Sequence, residues 1–76
     1  MKKAPRQYSL IKLYPEHRKW LEVNATDSIL LKEKAFVFLG EIPNMPEHCV
    51  IAGHESGKIL SGYHIANFIE LSEDEV

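Results

Sequence analysis

The sequence predicts a small, mainly β domain: a β-meander folded toward a small barrel, with one short segment open to helix. Three observations carry this. The chain has 76 residues, room for one domain with a thin core, because so short a chain buries only roughly 60–65% of the surface it exposes when unfolded. An apolar fraction of 45% and a charged fraction of 26% are those of a folded domain rather than a disordered one. From residue 29 onward, runs rich in aromatic and β-branched residues alternate with turn-forming clusters, the pattern of short antiparallel strands.

The elements follow in order. Residues 1–6 read as a mobile basic arm, and 72–76 (Ser-Glu-Asp-Glu-Val) as an acidic, frayed tail. The domain proper is then 7–71. Residues 7–14 alternate as a strand that Pro15 ends. Residues 15–24 fit two patterns. With Pro15 as first residue, a short helix puts His17, Trp20, Leu21 and Asn24 on one face. As a strand, Lys19, Leu21 and Val23 alternate against Trp20 and Glu22. Residues 24–28 (Asn-Ala-Thr-Asp-Ser) are a turn cluster in both cases.

Ile29-Leu30-Leu31 leads into a charged turn, Lys32-Glu33-Lys34. Ala35 to Ile42 is apolar on both faces, as a central strand is. Pro43-Asn44-Met45-Pro46 reads as a loop. His48 to His54 and Ile59 to His64 are antiparallel partners around Ser56-Gly57 as a two-residue turn. That turn sets Glu55 against Lys58 as a cross-strand charge pair, Cys49 against His64, and His48 near Ile65. A turn over Ala66-Asn67 and a closing strand, Phe68 to Leu71, complete the chain.

Composition narrows the function. One cysteine, Cys49, allows no internal disulfide. No apolar run of signal-peptide length follows the basic start, and the longest apolar stretch, Ala35 to Leu39, is far short of a membrane span. These features fit a soluble cytoplasmic protein. The net charge of −2 hides a split: residues 1–34 carry eight Lys/Arg against four acids, and residues 35–76 carry one against seven. Such a split marks either a basic face for an anionic partner or an evenly solvated surface.

The second half also resembles a known family. Gly62-Tyr63-His64-Ile65-Ala66-Asn67-Phe68-Ile69-Glu70-Leu71 is similar to the end of an SH3 domain, where a Gly-Tyr-Ile-Pro-Ser-Asn-Tyr-Val-type run forms a 3-10 turn and the last strand. Ser56-Gly57 stands at the distal-hairpin position, Lys32-Glu33-Lys34 at the diverging turn, residues 43–47 at the n-Src loop, and 15–28 at the RT loop. The resemblance covers about residues 29–71 and implies an SH3-like barrel. It does not carry the polyproline groove over. Ile65 replaces the groove proline, His48 stands near the groove tryptophan, Phe68 lacks the closing tyrosine's hydroxyl, and the first strand lacks the Ala-Leu-Tyr-Asp-Tyr pattern. The pairing of Pro46-Glu47-His48-Cys49-Val50 with Gly62-Tyr63-His64 resembles bacterial or phage sequences.

The expected function is non-catalytic: an accessory or adaptor module that binds a protein partner and needs no cofactor. The candidate surface is Trp20, Pro43, Met45, Pro46, His48, Tyr63 and Phe68, since interface hot spots favour large aromatic side chains. The alternative is a nucleic-acid-binding small barrel that uses Lys2, Lys3, Arg6, Arg18 and Lys19. A minor alternative is zinc held by Cys49 and His64. No CxxC or HxxxH spacing supports it, and His48 points to the opposite face from Cys49. A Cys49–His64 nucleophile would require a third, positioning group and an oxyanion site. Cys49 sits instead before Val50-Ile51-Ala52, the setting of an inert thiol. The four glycines are too scattered for a phosphate loop.

Overall fold

The computed structural model describes residues 4–71. Its elements are β1 (Leu10–Leu13), α1 (Pro15–Asn24), a first 3-10 helix (Ile29–Lys32), β2 (Phe36–Ile42), β3 (Met45–Gly53), β4 (Ile59–His64), a second 3-10 helix (Ile65–Asn67) and β5 (Phe68–Glu70). The strands form one antiparallel sheet in the order β4-β3-β2-β1-β5. The fold is therefore mainly β, as the sequence predicts, and the one segment the sequence leaves open between helix and strand is a short α-helix. No helix among the described residues is long and apolar enough to cross a membrane.

β1 is shorter than expected. Tyr8 takes φ +67° and breaks the extended run, although Tyr8 N–H still donates to Phe38 O at 2.6 Å. The residues before it are tied down. Arg6 N–H donates to Glu70 Oε1 at 2.8 Å, and Ala4 packs against the core. Part of the expected mobile arm is thus held; residues 1–3 and the tail 72–76 lie outside the described residues.

Segment 15–24 is a helix. Pro15 occupies its first turn with Glu16 beside it, so a preset φ and an acid at the positive end of the helix dipole favour helix where strand alternation competes. The Asn24 amide closes the helix by donating to Trp20 O at 3.0 Å. Leu21 is the only buried residue of α1. Ser28 then caps the first 3-10 helix by accepting from Leu30 N–H.

β2 lies between β1 and β3 and is central, as its two apolar faces require. Phe36 and Phe38 point inward with Ile11 and Leu13 of β1, Cys49 and Ile51 of β3, and Phe68 of β5. Phe36 and Phe68 meet edge to face, centroids 5.9 Å apart, a favoured aromatic geometry.

Three local expectations are corrected. The 43–46 loop is a two-residue turn, Pro43-Asn44, with Ile42 paired to Met45 and Pro46 already in β3. The distal loop is longer than Ser56-Gly57: Gly53 N–H bonds Lys58 O, and the regular ladder closes at Ala52–Ile59. Glu55 therefore does not face Lys58. Its N–H donates to Glu33 Oε1 at 2.9 Å. The register also shifts. Cys49 pairs with Tyr63 and His48 with His64: the longer loop moves the register by two residues, and Gly62, an extra residue bulged between Tyr63 and Ser61, returns it by one. Gly62 has φ +89°, a conformation that glycine adopts without a Cβ penalty.

Candidate functional site

The β2–β3 turn and the last residues of β4 form one end of the sheet. Alternation along β3 sends Cys49 and Ile51 inward and His48 and Val50 outward. Because His48 and His64 are register partners, their rings meet on the outer face with centroids 5.2 Å apart and planes at 72°. Two departures from the expected register produce this pairing: the longer distal loop sets the ladder at Ala52–Ile59, and the bulge at Gly62 then moves His64 on from Glu47 to His48.

The hydrogen bonds define each imidazole. Ala66 N–H donates to His64 Nδ1 at 3.0 Å, capping the second 3-10 helix. A nitrogen that accepts carries no proton, so the proton of the neutral ring is on Nε2. That atom lies 3.1 Å from Glu47 Oε2 and donates to it. His48 Nδ1 lies 3.0 Å from Pro46 O, so Nδ1–H donates to the carbonyl and Nε2 is the ring's acceptor. The pair thus offers an ordered acceptor and a carboxylate at a half-exposed surface.

Glu47 takes φ +65°, uncommon for a residue with a Cβ. Strain of this kind is held only where surrounding contacts over-determine it. Here Glu47 lies in a β3 bulge between the pairs Ile42–Met45 and Glu41–Cys49, and its carboxylate meets His64. Pro43, Met45 and Pro46 are exposed beside it.

The structure brings Pro43, Met45, Pro46 and His48 onto this end, with His64 added. Tyr63 is half-buried and packs against the core. Phe68 is a correction: at 1% exposure it is a core residue, because the first position of so short a closing strand packs edge to face on Phe36 and seals the core. Trp20 is 56% exposed on a different element, α1, stacked on His17 with ring planes 9° apart.

Cys49 and His64 are not brought together. Cys49 is fully buried, and its thiol donates to Tyr63 O at 3.3 Å. Burial, with the Glu41 carboxylate adding to it, pushes the thiol up to about 11, so it is neither a ready metal ligand nor a ready nucleophile. Among the described residues no three His, Cys, Asp or Glu groups are placed to hold a metal ion.

Of the expected nucleic-acid residues, Arg6 is committed to Glu70 (Nη2–Oε2 3.3 Å) and Lys19 is exposed on α1. Arg18 lines a cleft with Lys12, Leu13 and Lys34. Lys2 and Lys3 lie outside the described residues. Sequence reading also missed Glu33, which is buried. It accepts from Ser56 Oγ at 2.6 Å and from the N–H groups of Glu55 and Ser56.

No protein-family model matches the chain, and no curated protein or solved structure matches it.

Proposed function

We propose that this chain is a non-catalytic adaptor module, a cytoplasmic SH3-like barrel of bacterial or phage type, that binds a protein partner through the β2–β3 turn and the end of β4. The strand order supports the barrel reading. A hairpin, a 3-10 turn and a short closing strand beside β1 follow the plan that the resemblance implies. The buried, protonated thiol of Cys49 speaks against catalysis by the one strong nucleophile in the chain.

The observation that carries the reading is the His48–His64 pair, held by Glu47 at positive φ beside exposed Met45 and Pro46. The β3 bulge that gives Glu47 its positive φ also aims its carboxylate at His64, so this corner is shaped rather than merely solvated. The partner is not a polyproline helix. The positions that would line such a groove hold Ile65 and Phe68, which are both buried, and His48, which is turned toward His64.

The test is photo-crosslinking in extract of the native host, with a benzophenone side chain at position 45 or, as a control, at the exposed position 59 of β4. The expected result is one discrete protein adduct from position 45 that disappears with His48→Ala and is reproduced with the purified partner. No adduct from position 45, or the same adducts from 59, overturns the reading.

A further inference from the structure

The other end of β3 carries a different chemistry. Of nine Lys/Arg residues, Lys2 and Lys3 lie outside the described residues, which leaves seven. Five of these line two neighbouring clefts: Lys12, Arg18 and Lys34 one of about 240 Å³, Lys32 and Lys58 one of about 190 Å³.

The backbone at residue 33 joins the clefts. Glu33 is extended, φ −129° and ψ 147°; Lys32 before it ends the 3-10 helix and lines the second cleft beside Glu33, and Lys34 after it lines the first. Glu33 spends its carboxylate on the distal turn rather than on either lysine. Arg18 is oriented by Leu31 O, 3.5 Å from Nη2, and by Glu22, 3.7 Å from Nε. Glu55 is the one other acid lining either cleft. The result is a cationic band across the barrel end, in a chain whose net charge is negative.

We infer that this band binds the phosphodiester backbone of single-stranded nucleic acid. The first cleft opens where β1 and the chain entering β2 diverge, past their last pair, Ile11–Phe36, and its lining brings three cations and one apolar side chain. Leu13 supplies little apolar surface. What remains is a row of cations, which suits a partner of regularly spaced charge and reads no sequence. Trp20 is not part of the band. On α1 it lies about 160° around the helix from Arg18 at 100° per residue, so base stacking on it is not required.

The test is fluorescence anisotropy of a labelled single-stranded oligothymidine across a salt series. Each phosphate neutralised contributes a slope of roughly −0.7 in log K against log salt, so the slope should lie between about −2 for Lys32, Lys34 and Lys58 alone and about −3.5 if all five cations contact phosphate. Lys34→Ala and Lys32→Ala should each flatten the slope by about 0.7, and Lys34→Glu should weaken binding further. Met45→Ala, at the opposite end, should leave affinity unchanged. Circular dichroism confirms that these exposed-lysine variants stay folded. No binding at low salt overturns the inference, as does a slope insensitive to Lys32 and Lys34. Displacement by polyglutamate as effective as by unlabelled oligothymidine, at equal charge, also overturns it and makes the ligand an acidic polypeptide.

Discussion

The carboxylate of Glu33 occupies the space where a Cβ on Gly53 would stand. Gly53 is the last residue of β3, and its own dihedrals are ordinary; glycine is required there for space. The small residue lets the carboxylate reach past β3 to Ser56 Oγ and the N–H groups of Glu55 and Ser56. Those donors belong to the five-residue loop between β3 and β4, which the carboxylate thereby ties back to the core.

Gly53→Ala is therefore expected to act through Glu33. Forcing a methyl into an occupied site costs about 1–3 kcal/mol, and here it also expels the cap. In the Glu33→Ala background the obstruction is gone, so the same substitution should cost much less. Thermal melts of the two single variants and the double variant measure this coupling. Additive losses in Tm would show that the two residues act separately.

The same carboxylate predicts a pH dependence. The Ser56 hydroxyl holds Glu33 below its ordinary value of 4.5, burial opposes this, and the N–H groups of Glu55 and Ser56 and the nearby His54 add to the lowering. The unfolded chain then binds the proton more readily than the folded one. The resulting stability is fully present above the ordinary value and is lost as pH falls through the lowered one. Tm measured from pH 6 to 3 should fall more steeply for the wild type than for Glu33→Gln, with the difference appearing below about pH 4.5. Parallel curves would remove Glu33 from the acid transition.

These features differ in how far the sequence discloses them. β2 is legible because apolar residues on both faces have no other stable place than a central strand. The helix at 15–24 is only half legible: one buried residue, Leu21, anchors it, and both periods fit. Lys32-Glu33-Lys34 reads as solvated because its partner Ser56 is 23 residues away, and no local pattern marks a buried acid between two lysines. Gly62 did carry a signal. An isolated glycine within a strand pattern marks a bulge, but counting it alone would have set His64 against Val50; the His48 partner also requires the longer distal loop, which no local pattern marks. Phe68 misleads in the other direction, since an aromatic near the chain end looks like surface until the strand it begins is seen to close the core.

Gly62→Ala tests the bulge. A Cβ at Gly62 would meet no atom within 4 Å, so the cost is purely conformational. At φ +89° an L-residue loses about 1–2 kcal/mol. Urea unfolding should show that loss, and Gly62→Val a larger one because of its branched Cβ. An unchanged midpoint for Gly62→Ala would mean that the strand can pair without the bulge.

Cys49 should report on unfolding. With the thiol at about 11, roughly one molecule in a thousand is thiolate at pH 8, and the sulfur is fully buried. Alkylation by iodoacetamide should be slow in the native protein and accelerate with urea in parallel with the loss of structure. Rapid labelling in the native state would contradict the burial and revive a reactive role for this residue.

Glu47 separates stability from function. Its positive φ should cost roughly 1 kcal/mol relative to glycine, whereas its exposed contact with His64 returns only about 0–1 kcal/mol. Glu47→Gly should accordingly match or exceed the wild type by up to about 1 kcal/mol in urea unfolding. Glu47→Ala keeps the strain without the carboxylate and should be no more stable than wild type. If the strained carboxylate is kept for partner contact, Glu47→Gly should lose the adduct formed from position 45 while unfolding at equal or higher urea. An adduct undiminished in that variant would leave the strain at Glu47 without a part in recognition, and the imidazole pair and Met45 would then have to hold the partner alone.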